Sequence, residues 1–298
     1  EALELSNSKL EDIDLIAATG GPGLIGGVIV GTVFAKSLAM SLDKPYVAVN
    51  HLEGHALTAR LTNNIEYPYL LLLVSGGHTQ IIAVLEYGKY SRLSSTLDDA
   101  AGETFDKAAK ILDIGFPGGP MIEKMAMSGD PKSYQLPRPM YKSKNPNFSF
   151  SGLKTAFNQT VLKNTLTKNN ISNLSASIQK AISDCLVDRT RVALDQFKMM
   201  INKNSNVQLV VAGGVASNKY IRNELEKLAF ISNTKFHAPP INLCTDNGAM
   251  IAWAGYEKYI YEGETNLNFK PRPRWPLDPD AHQKNPIHSK IGKSGVKA

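Results

Sequence analysis

The sequence predicts an α/β protein organised as two lobes, and three observations predict it. Apolar runs of strand length alternate with longer amphipathic runs over most of the 298 residues. Three of those strands end in glycine-rich turns, at Gly20, Gly76 and Gly213. An antiparallel pair interrupts the alternation, which disfavours a single doubly wound sheet. A hydrophobic content of 43% in a chain of this length is enough for one large core or two moderate ones.

Taken in order, residues 14–19 read as a strand, and the run 20–27 turns it into a helix reaching about Ser41. A strand, glycine loop and helix in succession aims backbone N–H groups at an anion. The run lacks the Lys-Ser/Thr of a P-loop and the glycine spacing of a dinucleotide fingerprint. The weakly polar stretch 26–42 contains Lys36 with several glycines and serines, and reads as too interrupted to span a bilayer.

Residues 45–49 form an apolar run of strand length, and Asn50 is a good N-cap for a helix continuing through Arg60. His51 and His55 then lie one turn apart on one face, where two imidazoles can close on a single metal ion. An open two-histidine site recruits a carboxylate from elsewhere, and the best donor is Asp246. Asp246 also stands just before Asn247 and Gly248 at a helix start, where it would serve equally well as a cap. Zinc and ferrous iron both suit two histidines and one carboxylate. A zinc-protease reading requires the intervening Glu at the second or fourth motif position. Glu53 is at the third, roughly 200° around the helix from His51, so proteolysis is disfavoured.

Strand-length runs at 69–75 and 79–85, joined through Gly76-Gly77-His78, predict an antiparallel hairpin continued by 90–96. Ser75, Gly76 and Gly77 would offer N–H groups and a hydroxyl to phosphate or carboxylate oxygens, or make an ordinary hairpin turn. Helices follow at 102–112 and 119–128, carrying Asp106 and Glu123 as ribose acceptors or as solvated helix charges. The stretch 131–152, rich in Pro, Ser, Asn and Lys, is a long loop, either ordered or mobile. A long amphipathic helix over 172–201 precedes a buried strand at 208–212, a glycine loop at 213–218, a helix over 219–230 and a short strand near Lys235 and Phe236. The run 244–250 opens a helix reaching Tyr261. Five prolines after Lys270 predict a tail without regular structure, disordered beyond Leu277.

Charge is unevenly placed on this net +6 chain: residues 131–183 contain eight Lys or Arg and no Asp or Glu, and residues 270–298 are also basic. Such asymmetry fits a polyanionic partner, or else a solvated basic face. The two cysteines, Cys185 and Cys244, are far apart and argue for a reduced, cytoplasmic setting. The N-terminus has no basic start or apolar stretch of a secretory signal, and with no initiating Met the chain reads as truncated.

Eight ordered blocks together resemble one family: ATGGPGL at 18–24, NHLEGH at 50–55, LVSGGHT at 73–79, DDAAGETFDK at 98–107, PGGP at 117–120, FSFSGLK at 148–154, GGVASN at 213–218 and TDNGAM at 245–250. They are similar to the threonylcarbamoyl transferases that make N6-threonylcarbamoyladenosine in tRNA, formerly called O-sialoglycoprotein endopeptidases. The resemblance implies a two-lobed fold of the actin, hexokinase and heat-shock ATPase type with a ligand cleft between lobes. It also implies a division into a partial first lobe (1–68), a second lobe (69–245) with a basic insertion at 131–171, a closing helix (246–269) returning to the first lobe, and the tail (270–298). Members open with a strand and turn of the type Gly-Ile-Glu-Thr-Ser-Cys-Asp, which nothing before Glu1 matches, so the first strands are expected to be missing.

Carried over by position, the implied metal ligands are His51, His55 and Asp246, for one divalent iron or zinc. Leu73, Val74, Ser75, Gly76, Gly77, Asp106, Gly119, Glu123 and Asn218 would hold threonylcarbamoyl-adenylate. The implied reaction is transfer to N6 of adenosine 37 in tRNAs reading ANN codons, with no residue evident as general base. Implied partners are tRNA and, in bacteria, a noncatalytic paralogue and a small ATPase, with no membrane. The competing readings are an ATPase or sugar kinase of the same fold, a nucleotide-binding scaffold, and a metalloprotease.

Overall fold

The computed structural model describes residues 1–202 and 206–284. In chain order the elements are α1 (Ala2–Ser6), β1 (Ile16–Gly21), α2 (Ile25–Leu42), β2 (Tyr46–Asn50), α3 (His51–Asn63), β3 (Tyr69–Val74), β4 (Thr79–Glu86), β5 (Lys89–Ser95), α4 (Ala101–Ile111), α5 (Gly118–Ala126), α6 (Ser151–Leu162), α7 (Lys168–Met200), β6 (Gln208–Ala212), α8 (Lys219–Ile231), β7 (Lys235–His237), α9 (Gly248–Glu262) and α10 (Ala281–Lys284). They fall into two compact units, one made of residues 1–64 and 246–279, the other of residues 65–245 with the described residues from Asp280 on.

In the first unit β1 and β2 run parallel, Ile16 opposite Tyr46 and Ala18 opposite Ala48. Ala35 and Ala39 of α2 pack on Tyr46 and Ala48, small side chains that let a helix sit close on the strands. α9 lies against β1 so closely that a Cβ at Gly255 would reach within 2.4 Å of the Ala17 methyl. Arg60 at the end of α3 pairs with buried Glu257 of α9, Nε to Oε1 2.8 Å. By length and composition α2 qualifies as a membrane-crossing helix, with mean hydropathy 1.7 over Ile25–Leu42, so glycine and serine interruptions do not disqualify it as the sequence reading had it. It buries Val28, Thr32, Ala35 and Ala39 and exposes Val30, Val33, Phe34 and Met40.

The segment after α9 differs from the expected loose tail. Thr265 N–H donates to the Tyr46 carbonyl at 2.7 Å, Arg272 N–H to the Gly20 carbonyl at 2.8 Å, and the Asn50 side-chain amide to the Trp275 carbonyl at 2.8 Å. The Arg272 guanidinium stacks 5.3 Å from the Phe269 ring and 4.8 Å from that of Trp275. Prolines preclude a helix here but not docking of an extended strap. The expectation of disorder for residues 285–298 lies outside the described residues.

The second unit is built on a five-stranded mixed sheet ordered β5-β4-β3-β6-β7. β3 pairs antiparallel with β4, Leu71 opposite Ile82, and parallel with β6, Leu71 opposite Val210. Every residue of β3 is buried, the pattern of a central strand covered on both faces. Its core draws Phe105, Ile122, Phe157, Ile178, Leu186 and Leu225 from five helices onto Leu70, Leu72 and Val74.

The basic stretch is ordered through backbone tethers to acids on α7. Lys142 N–H donates to Asp188 at 2.9 Å, and the fully buried Arg189 binds Asp188 and donates to the Ser143 carbonyl at 2.8 Å. Arg138 and Lys180 pair with Asp184, and Lys154 with Asp99, so these three cations are structural; Lys132, Lys142, Lys144, Lys163 and Lys168 are not in ion pairs among the described residues. Within this stretch α6 starts without a capping side chain of its own. Asp98 supplies the cap, accepting from Ser149 Oγ at 2.6 Å, Phe150 N at 2.7 Å, Ser151 N at 3.2 Å and Ser151 Oγ at 2.9 Å. Burial pushes the Asp98 carboxyl up, but these four donors outweigh it and hold it below the ordinary range.

Candidate functional site

His51 and His55 enter the first unit through the start of α3. Asn50 fixes that start by accepting the Leu52 N–H at 2.9 Å, so the two imidazoles project from one face with ring centroids 5.0 Å apart and planes at 84°. Both Nε2 atoms face the same oxygen, Asp246 Oδ1, at 3.4 Å from His51 and 3.1 Å from His55. The ambiguity over Asp246 is resolved by its neighbour: Asn247 caps α9, its side chain accepting the Met250 N–H at 2.8 Å, which leaves the Asp246 carboxylate to the histidines. His51 first and His55 second hold the Asp246 carboxyl far below the usual carboxylate range, against a partial burial that acts the other way.

One donor atom from each of the three residues lies within 4.8 Å of the others. A cation about 2.1 Å from each ligand separates neighbouring ligands by about 3.0 Å in octahedral and about 3.4 Å in tetrahedral geometry. The observed 3.1 and 3.4 Å between Asp246 and the two histidines fall in that range, and the chemistry of the donor set suits a divalent ion. His55 is buried, His51 partly so, and Asp246 is 76% exposed, which leaves the carboxylate side open for further ligands.

A pocket of about 200 Å³ lies within the second unit, among Gly76, Asp106, Gly119, Glu123, Gly214 and Asn218. Three glycines set its backbone. A Cβ at Gly102 would come within 2.6 Å of the Ser75 carbonyl, one at Gly118 within 2.5 Å of Asp106 Cα, and one at Gly213, where φ is +94°, within 2.4 Å of the Val74 carbonyl. Asp106 accepts the Gly118 N–H at 2.8 Å and Glu123 the Lys219 N–H at 2.7 Å, so both carboxylates hold their loops as well as line the cavity. Asn218 caps α8 through Ile221 N–H at 3.0 Å and donates its amide to Gln179 at 2.8 Å.

The structure thus brings Gly76, Asp106, Gly119, Glu123 and Asn218 to one cavity. Leu73 and Val74 are fully buried in β3, and Ser75 and Gly77 are not among the lining residues; Ser75 Oγ accepts the His78 N–H at 3.1 Å and closes the turn. Sequence reasoning missed Gly102, Phe105, Pro117, Pro120, Gly214, Val215, Ser217 and Thr245 of the lining. Each lies within a quoted block or within a residue of one, and that is the only signal that could have found them.

Fold and site together define a two-unit α/β protein with a two-histidine, one-carboxylate cluster that could hold a metal ion and a glycine-walled cavity. Comparison with known proteins makes the assignment particular. Residues 1–253 match the family model of tRNA N6-adenosine threonylcarbamoyltransferase, and the chain belongs to that family. It is 52% identical over 298 residues to the tRNA N6-adenosine threonylcarbamoyltransferase of Brucella suis, covering all of this chain and 82% of that relative. It is also 52% identical over 300 residues to the protein of the same name from Rhodospirillum rubrum, covering 81% of it. Among solved structures, HypF of T. kodakarensis superposes with a TM-score of 0.63 at 15% identity, over 88% of this chain and 42% of that one; a full-length HypF in a phosphate- and nucleotide-bound form gives 0.55 over 77% and 38%. At such identity these two show the shared α/β fold alone.

Proposed function

We propose that this chain transfers the threonylcarbamoyl group from threonylcarbamoyl-adenylate to N6 of adenosine 37 in tRNAs that read ANN codons. The observation that carries the reading is the convergence of His51 and His55 on one oxygen of Asp246 in a chain of this family. The N6 amine bonds to the carbamoyl carbon, the bond from that carbon to the phosphate oxygen breaks, AMP leaves and the amine releases a proton. Iron(II) or zinc held by His51, His55 and Asp246 would supply Lewis-acid stabilisation of substrate oxygens.

In this reading Gly76, Asp106, Gly119, Glu123 and Asn218 hold the adenylate. The Gly76 and Gly77 N–H groups, with the Ser75 hydroxyl, stabilise developing charge, and Leu73 and Val74 act from β3 by fixing where that turn begins. Lys132, Lys142, Lys144, Lys163 and Lys168 meet tRNA phosphates without reading sequence. A synthase supplies the adenylate, and a noncatalytic paralogue and a small ATPase complete the system in the cytoplasm. Supplying the full-length gene to a strain depleted of the endogenous enzyme and measuring threonylcarbamoyladenosine in its tRNA tests the reading. Restoration is expected, and an unrestored level in cells that express the protein would refute it.

A further inference from the structure

Arg222 stands on the first turns of α8, partly buried, and its guanidinium has no carboxylate partner among the described residues. Its side-chain hydrogen bonds go instead to neutral groups on two separate loops. Nε and Nη2 donate to the Ala216 carbonyl at 3.1 and 2.9 Å, and Nη2 also reaches the Pro239 carbonyl at 3.0 Å and Cys244 Sγ at 3.2 Å. Ala216 sits in the single turn Gly214–Ser217, while Pro239 and Cys244 bracket the turn Ile241–Leu243. Both segments supply the glycine-walled cavity, Gly214, Val215 and Ser217 from the first and Thr245 from the second. They meet there: a Cβ at Gly214 would stand 3.9 Å from Thr245 Cγ2. The thiol among these acceptors is fully buried. Burial pushes it up against the opposing effect of the guanidinium, and its S–H faces the Pro239 and Pro240 carbonyls at 3.6 and 3.5 Å, so a neutral sulfur presents a lone pair to Arg222.

We propose that Arg222 is a positioning residue for the adenylate, clamping the 214–217 turn to the 239–245 segment and so fixing the wall that the nucleotide meets. Arg222 is not among the residues that line the cavity, so it acts through the backbone it holds and not by touching the ligand. A planar guanidinium donates in fixed directions, which sets the separation of Ala216, Pro239 and Cys244 in a way that a flexible ammonium does not. A displacement of about 1 Å in a positioning wall is enough to cost an order of magnitude or more in binding or rate. The inference rests on the reading of this cavity as the adenylate site.

The test compares the full-length protein with Arg222→Lys, Arg222→Ala and Cys244→Ala. AMP binding is titrated for each, KM and kcat for the adenylate are measured with tRNA in excess, and amide exchange is followed over residues 214–218 and 243–245. Arg222→Lys keeps the charge but not the fork, and it should bind AMP about tenfold more weakly, as should Arg222→Ala. KM for the adenylate should rise by a similar factor while kcat changes less than about threefold, because the wall serves binding. Cys244→Ala removes one of three acceptors and should weaken AMP binding about two- to threefold. Exchange should quicken in both segments together. Wild-type AMP affinity in Arg222→Lys overturns the proposal, and so does a fall in urea stability with KM unchanged, since Arg222 would then hold the fold and not the site. Should the Arg222 variants fail to fold, wild-type exchange over 214–218 in Cys244→Ala overturns it. A wild-type protein that binds no AMP removes the adenylate reading itself, while the exchange over both segments still decides whether Arg222 clamps the wall.

Discussion

Replacement of Asp98 separates charge from geometry at the start of α6. The carboxylate accepts from two backbone N–H groups and two hydroxyls, at 2.6 to 3.2 Å, beside a fully buried Phe150. Asp98→Ala leaves the Phe150 and Ser151 N–H groups without their acceptor. Hydrogen bonds to a charged group contribute about 1.5–3 kcal/mol each and do not add fully, so a loss of about 3–5 kcal/mol is expected. Asp98→Asn keeps one oxygen for the N–H groups, and the serine hydroxyls can rotate to accept from the new amide, so about 1–2 kcal/mol is expected. Because the folded carboxyl lies below its unfolded value, its contribution is present above pH ~4 and is lost as pH falls through the folded value. The gap between wild type and Asp98→Asn therefore narrows on acidification. Urea unfolding measures the losses, and hydrogen exchange at the Phe150 and Ser151 amides reads the site locally. Equal cost for Ala and Asn, or protected amides in Asp98→Ala, would refute the reasoning.

Three further outcomes follow from the same coordinates. Asp246→Asn should weaken divalent-metal binding at least about tenfold, since loss of even outer-shell partners costs 10- to 100-fold; Asn247 still caps α9, so the loss of metal-free stability measured by urea unfolding should be confined to the contacts with His51 and His55 that hold the Asp246 carboxyl low, and should shrink on acidification. Gly213→Ala, forced to φ +94° against the Val74 carbonyl, should cost about 1–3 kcal/mol in urea unfolding. Arg189→Met should cost about 3–5 kcal/mol by leaving buried Asp188 with only the Lys142 N–H and the Arg191 guanidinium 3.5 Å away, and should expose the 131–150 stretch to limited proteolysis, with no rescue by Arg189→Lys because the two-sided fork is lost.

How much of this was legible in the sequence depended on the range of the interactions. The cap at Asn50 and the one-turn histidine spacing are local, and both stand in the structure. Choosing between Asp246 and Asn247 as helix cap required coordinates, because either side chain could reach the start of α9. α6 was not recognised within the basic stretch because its cap, Asp98, lies 52 residues before Phe150 in sequence. The docking of the strap at 269–275 is not legible in sequence because its partners, Gly20, Lys36 and Asn50, are more than two hundred residues away. Which residues of the 73–77 run line a cavity depends on the pleat and turn of β3, which a motif match does not report.

The first unit is assembled from two stretches of polypeptide with residues 65–245 of the second unit inserted between them in sequence. His51 and His55 come from the earlier stretch and Asp246 from the later one, so an ion held by all three is a crosslink across a discontinuous domain, comparable in topology to a disulfide closing a long loop. Chelation should therefore register first as loosening of the joint between α3 and α9, seen as faster amide exchange there, while the contiguous sheet of the second unit keeps its protection.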